Sequence, residues 1–249
     1  MICSMNKKRQ EKYHRAVMIG NTAKPYQIRR SKRAKNILLH VDVQGRIEVV
    51  LPWRADAKTA EKFVKKKKAW IDKMLQKHQK FASLLPKRKF ETGEKFPCFG
   101  QTYTLKITTD KRRTRTSIHI QKNTLHIATP KKSAVKPALV RWCRTKAKAY
   151  FTEHANRYAK NLRTKINSIR IGDTKSQWGS CSHGKKALSF NWRLALAPKE
   201  VCWYVIAHEV AHLRHPNHSP AFWKQVEAIE PNYEARKLWL RKYGYTLIF

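Results

Sequence analysis

The chain has 249 residues, 41% of them hydrophobic, enough to bury a core in one large domain or two small ones. Lys and Arg number 55 against 16 Asp and Glu, a formal charge of +39, and such a field attracts polyanions whatever the fold. Five scattered cysteines without a C-x-x-C pair indicate neither a disulfide framework nor a cysteine zinc knuckle, and no apolar run approaches the roughly 18 residues of a spanning helix.

Residues 1–24 are polar and basic without periodicity, which predicts a mobile tail. Residues 26–30, 37–43 and 46–51 then read as β-strands, alternating and rich in β-branched residues, with Gln44-Gly45 as a tight hairpin turn. Pro52 ends that run. From Ala57 to Phe81 the period turns helical, with Ala60, Phe63, Val64, Trp70, Ile71, Met74 and Leu75 on an apolar stripe beside Lys65–Lys68. Residues 84–100 read as an ordered connection, residues 101–108 and 117–128 as further strands, and residues 135–162 as a helix behind Pro130.

Short strands are predicted at 168–171 and 187–196, followed by Pro198 at the start of another helix, where its missing amide costs nothing. Ser219 is a natural N-cap with Pro220 at the first helical position, and a last helix spans 233–243 after Pro231. The stretches 46–80, 124–162 and 187–214 share one layout of strand, proline and helix. No residue-level period accompanies it, so one supersecondary plan is reused without a sequence repeat.

The chemistry concentrates in residues 208–218, His-Glu-Val-Ala-His-Leu-Arg-His-Pro-Asn-His. On a helix His208 and His212 project from one face and can grip one metal ion, with Glu209 beside them as a general base for a zinc-bound water. A chance H-E-x-x-H would bury His208 and Glu209 on a helix that is apolar on most sides, with nothing to compensate them. A metal supplies that compensation. His218 is the first choice for third ligand, because the Pro216-Asn217 break lets the chain turn back; His215, Glu227 and Glu230 are the rivals. The overall spacing matches H-E-x-x-H-x-x-G-x-x-H except that His215 replaces the glycine.

Directly upstream, Trp178-Gly179-Ser180-Cys181-Ser182 and Asn191-Trp192-Arg193-Leu194 combine small residues, tryptophans and an Asn-Arg pair. That composition suits the edge strand of a cleft, with Trp178, Ser180, Asn191 and Arg193 as candidate substrate contacts and Asn191 or Arg193 as a candidate oxyanion stabiliser. Trp178 and Trp192 suit core packing equally, and Cys181 reads as a small residue packed in a strand rather than a fourth ligand.

These stretches, together with residues 204–213, Asn217-His218-Ser219 and Phe222-Trp223, resemble the YgjP-like zinc metallopeptidases, related to the WLM and SprT-like proteases. Arg29-Arg30-Ser31, Pro52 and Trp70 extend the resemblance over nearly the whole chain after the tail. It implies one zinc ion per chain on His208, His212 and His218, Glu209 as the catalytic residue, a cytoplasmic protein, and a minigluzincin or SprT-like core.

The expected fold is therefore α+β: a tail (1–24), a basic β-rich module with one helix (25–130) and a zincin-like catalytic domain (131–249). The expected activity is zinc-dependent hydrolysis of a peptide or protein, with no membrane partner. Two alternatives keep other partners in view. One is a metal-dependent hydrolase of nucleoside triphosphates, in which side-chain cations neutralise the phosphates, since no Gly-rich phosphate loop occurs. The other is a nucleic-acid-associated protein acting on DNA- or RNA-bound proteins, since residues 1–172 carry 44 Lys and Arg against 10 Asp and Glu while residues 173–249 carry 11 against 6.

Overall fold

The computed structural model describes residues 12–42, 45–82, 88–174 and 177–249. Its contacts divide the chain into two compact units, one ending at Leu85 and one beginning at Pro86.

The first unit holds four strands, β1 (Lys12–Ile19), β2 (Thr22–Ser31), β3 (Leu38–Val41) and β4 (Ile47–Pro52), in the order β1-β2-β4-β3. β2 and β4 run parallel, and each outer strand is antiparallel to its neighbour. β1 replaces part of the expected tail. Its pairing with β2 runs from Lys12↔Arg29 to Ile19↔Thr22 across Gly20-Asn21, with Gly20 at φ +57°. Gly-Asn between two strands is a two-residue hairpin signal, and it accounts for the difference. Gly45 keeps its place in the β3–β4 turn at φ +78°, while Gln44 lies outside the described residues.

The predicted helix is two helices, α1 (Ala57–Lys66) and α2 (Lys68–Ala82). Asp56 caps α1 by accepting from the Lys58 amide. At Lys67 one amide is shared between the carbonyls of Phe63 and Val64, which tightens the turn and separates the helices. Ala60, Val64 and Ile71 close the core over Ile28, Val49 and Leu51.

In the second unit β5 (Lys95–Cys98), β6 (Gln101–Thr109), β7 (Ser117–Gln121) and β8 (Thr124–Thr129) repeat the same order and the same directions: β5-β6-β8-β7, with β6 and β8 parallel. β5 lies inside the expected connection. The expected single strand over 117–128 folds back at Lys122, which takes φ +52° without the glycine that usually announces such a turn. A short 3-10 turn then leads into α3 (Val135–Asn161). β9 (Ser168–Gly172), β10 (Gly179–Ser182) and β11 (Ala187–Asn191) form a third sheet in the order β10-β11-β9, with β9 and β11 parallel and β10 antiparallel to β11.

The plan read in the sequence is thus carried by the sheets. β9, β10 and β11 occupy the places of β2, β3 and β4, and of β6, β7 and β8, with no counterpart of β1 or β5 in their sheet. Each set leads into a helix: α1, α3 and α4 (Lys199–Ala211). The strand expected over 187–196 stops at Asn191, whose side chain accepts from the Arg193 amide and opens a 3-10 turn over Trp192–Leu196.

Sheet β5–β8 shares one core with α3 and α4. Phe96, Leu105 and Leu125 belong to the same cluster as Leu139, Phe151, Trp192 and Ile206. The expected boundary at 130 therefore falls inside a continuous core, because those strands bury their apolar face only by meeting α3. α5 (Pro220–Ile229), capped by Ser219, and α6 (Tyr233–Tyr243) complete the unit. Among the described residues no helix is long and apolar enough to cross a membrane.

Candidate metal centre

α4 is apolar around most of its circumference, and nine of its thirteen residues are buried. A helix of that kind forms only where core surrounds it, so its few polar side chains are held in place by packing. His208 and Glu209 lie in its last turn, and His212 is its C-cap. The chain then turns at Pro216-Asn217 and returns His218 to the same spot. Nitrogen atoms of His208, His212 and His218 lie within 4.8 Å of one another, and the Nε2 atoms of His208 and His218 are 3.1 Å apart.

The tautomer of His212 follows from its neighbour. Its Nδ1 is 3.0 Å from the His215 carbonyl, which can only accept, so Nδ1 carries the proton and Nε2 keeps a lone pair. His208 Nδ1 is buried and has no hydrogen-bond partner among the described residues. Burial first, then His212 and His218, holds the His208 imidazole down at about 3, and burial lowers His212 too. Both rings are neutral at physiological pH, which is the form that binds a metal.

Glu209 is 5% exposed, and no ion pair among the described residues includes it. Burial alone pushes its carboxyl up to about 8. β10 passes directly over it: a Cβ built on Gly179 would stand 2.5 Å from Glu209 Oε1, 2.6 Å from Cγ and 2.8 Å from Cδ. Three converging imidazoles beside a buried carboxylate that no cation answers fit a divalent ion of borderline softness such as zinc.

The linkage of Glu209 to stability has a definite sign. Its carboxyl titrates near 4.5 when free and near 8 when folded, so its contribution is complete below pH 4.5 and lost as pH rises to 8. His208 acts in the opposite direction between 6.5 and 3. From pH 6.5 to 8, of these two only Glu209 remains. Chelator-treated protein is expected to lose stability over that interval, and Glu209→Gln to flatten that part of the slope in urea titrations. An unchanged slope in the variant would place the titrating group elsewhere.

The rivals for third ligand lie apart from this cluster. His215 contributes its carbonyl to His212, and Glu227 is exposed. Glu230 is buried in a pair with Arg236 and accepts from the Tyr158 hydroxyl at 3.2 Å, which ties the end of α5 to α3 and α6. Cys181 keeps its proton, its thiol pushed up to about 11 by burial and then by Glu209.

The four candidate substrate contacts are distributed differently. Trp178 lies against Gly244 and packs on the core. Strand alternation turns Ser180 to the face opposite Gly179 and Glu209. Asn191 is buried with both ends of its amide engaged, donating to the Thr174 carbonyl at 2.7 Å and accepting from the Arg193 amide at 3.0 Å. The Arg193 guanidinium pairs with Asp173 and stacks on Trp192. Asn191 and Arg193 therefore hold the segment before β10.

Tyr204, which opens the stretch 204–213, surrounds the centre together with Tyr233, Lys237 and His183, which belong to no motif. Trp223 stacks between the His218 ring at 5.8 Å and the Tyr233 ring at 5.4 Å, with Lys237 Nζ 4.0 Å from its centroid. Tyr204 continues the stack beyond Tyr233, and its ring edge meets His208. His183 Nδ1 lies 3.0 Å from the His212 carbonyl. Only Ser219-Pro220, which starts α5, and the aromatic pair Phe222-Trp223 hint at this wall in the sequence.

A family profile described as YgjP-like, metallopeptidase domain, matches residues 35–243. No curated protein matches the chain. Among solved structures, the metallopeptidase zymogen of Pyrococcus abyssi abylysin is 22% identical over 38% of this chain and 92% of that one, with a TM-score of 0.34. The metallopeptidase zymogen of Methanocaldococcus jannaschii jannalysin is 22% identical over 37% of this chain and 94% of that one, with a TM-score of 0.34.

Proposed function

Because the chain belongs to the YgjP-like metallopeptidases, we propose that it hydrolyses peptide bonds in a zincin-like core with one zinc ion held by His208, His212 and His218. The observation that carries the ligand set is the meeting of those three imidazoles beside the uncompensated carboxylate of Glu209.

Bound zinc would supply the Lewis acidity that polarises a peptide carbonyl and lets a water lose a proton near neutral pH. Glu209 takes that proton as the water oxygen bonds to the carbonyl carbon. The same carboxyl returns it to the nitrogen as the C–N bond breaks, leaving a carboxylic acid and an amine, which become carboxylate and ammonium when the water's second proton moves to the amine. A group whose burial favours the protonated form is suited to that holding step, and a bound dication nearby would favour its charged form. The His215 carbonyl orients His212 through Nδ1, and Trp223 supports the His218 ring from behind.

β10 ends its sheet, so one of its edges has no strand partner among the described residues. An extended peptide would pair with that edge through backbone hydrogen bonds, and the close approach at Gly179 would bring its carbonyl over Glu209. Backbone, rather than the side chains of Trp178 and Ser180, is the recognition element on this reading.

The test is zinc content and cleavage of an unstructured protein by wild type and by His218→Ala. Wild type is expected to hold about one zinc per chain and to cleave, with both lost or reduced in the variant. Full zinc occupancy in His218→Ala would remove His218 from the ligand set. A wild type that takes up no zinc would overturn the reading.

A further inference from the structure

We infer that the first unit is a binding surface for single-stranded nucleic acid, centred on Lys65–Lys68 and presenting Trp53 and Trp70 as stacking platforms. It uses no residue of the candidate metal centre, all of which belong to the second unit.

The charge there is not neutralised within the fold. Residues 12–82 contain 19 Lys and Arg against five Asp and Glu. All five acids are already in use. Asp42 pairs with Arg46, Glu48 with Arg29 and Glu61 with Arg15, while Asp56 caps α1 and Asp72 accepts from Gln76. Lys62, Lys65–Lys68 and Lys73 are exposed and form no ion pair among the described residues. Uncompensated ammonium groups on consecutive turns suit a partner that brings a series of phosphates and releases its counterions on binding.

Shape adds to charge. A cavity of about 580 Å³ opens among Arg15, Val17, Met18, Glu61, Lys65 and Lys68, so cations ring a space with an apolar lining. Two indoles stand out of the surface nearby in sequence, Trp53 at 52% exposure and Trp70 at 42%. Burying either would be the ordinary fate of a tryptophan. The backbone that carries Trp53 is anchored, since Arg30 donates to the carbonyls of Trp53 and Ala55 at 2.8 Å each, and Lys32 Nζ sits 5.3 Å from the Trp53 ring centroid.

An exposed indole on an anchored backbone, with a cation at its face, offers a base a stacking partner and the adjoining phosphate a charge. The bases of a duplex are stacked on each other and unavailable to it. An anionic vesicle would satisfy the lysines and could take up the indoles, so it is the control partner.

The experiment measures fluorescence anisotropy of a labelled single-stranded oligouridylate of about 15 nucleotides, the matching duplex, and co-sedimentation with phosphatidylserine-containing vesicles. Four phosphate contacts at about 0.7 per phosphate predict binding about 50-fold weaker at 200 mM than at 50 mM salt. Quadruple replacement Lys65→Gln, Lys66→Gln, Lys67→Gln and Lys68→Gln is expected to flatten that dependence. Trp53→Leu and Trp70→Leu, which keep an apolar side chain, are each expected to cost about fivefold or more.

Far-UV circular dichroism and peptide cleavage, which the exposed variants should leave unchanged, show that a weakened variant still folds. Failure of cleavage with binding intact would sink the peptidase reading and leave this one standing. Binding undiminished in the lysine or tryptophan variants, duplex bound as tightly as single strand, or vesicles bound in place of oligonucleotide would each overturn the inference.

Discussion

Replacing Glu209 with Gln is expected to lower kcat on a peptide substrate by about 10² to 10⁴, the range a positioned general base contributes, while zinc stays bound. Glutamine has nearly the same volume, so the 5% exposed site under β10 stays filled and the three histidines keep their positions. It cannot accept the proton. The burial that pushes the glutamate up to about 8 disfavours its charged form, so the neutral side chain is expected to leave chelator-treated protein at least as stable as wild type near pH 8. Activity lost together with zinc would mean that the carboxylate is a ligand or that the fold has been damaged. Activity retained would mean that another group moves the proton.

Residue spacing on one helix makes most of the candidate metal centre legible in the sequence. His208 and His212 share a face by the 3.6-residue period, and Pro216-Asn217 marks where the chain must turn to bring His218 back. The burial of Glu209 also follows from the apolar residues around it. What stays hidden depends on contacts between elements distant along the chain. The Asn-Arg pair is such a case: Asn191 and Arg193 are chemically equipped to meet a substrate, yet Thr174 and Asp173, on the segment before β10, engage them instead. The stack of Trp223 between His218 and Tyr233 likewise forms only once α5 and α6 have packed against α4.

Strand boundaries are obscured for local reasons. Lys122 turns β7 into β8 at φ +52° with no glycine to announce it, and β1 hides its buried Val17 and Ile19 behind a polar, basic start. Gly20-Asn21 signals that hairpin, against a composition that argues for a tail. The threefold use of one plan is visible as strand, proline and helix, but the identity of the two four-stranded sheets is not, because pairing order leaves no period in the sequence.

Gly179→Ala is the more searching experiment, because it touches no ligand and removes no functional group. The added methyl would stand 2.5 to 2.8 Å from three atoms of the Glu209 side chain, closer than a real Cβ tolerates. Relief by rotation is restricted, since Glu209 is buried between β10 and the body of α4. Either β10 lifts, which carries its unpaired edge away from the metal centre, or the carboxylate is displaced. A misplacement of about 1 Å at a reacting group costs on the order of 10² in rate. Overpacking adds about 1–3 kcal/mol of destabilisation. Displacement of the carboxylate predicts a fall in kcat with KM nearly unchanged, whereas a lifted strand predicts that KM rises as well. Zinc content should match wild type in both cases, because His208, His212 and His218 are held by α4, the returning loop and the aromatic wall. A fully active Gly179→Ala enzyme would show that the strand is not set against Glu209 during the reaction, and the placement of substrate along β10 would have to be abandoned with it.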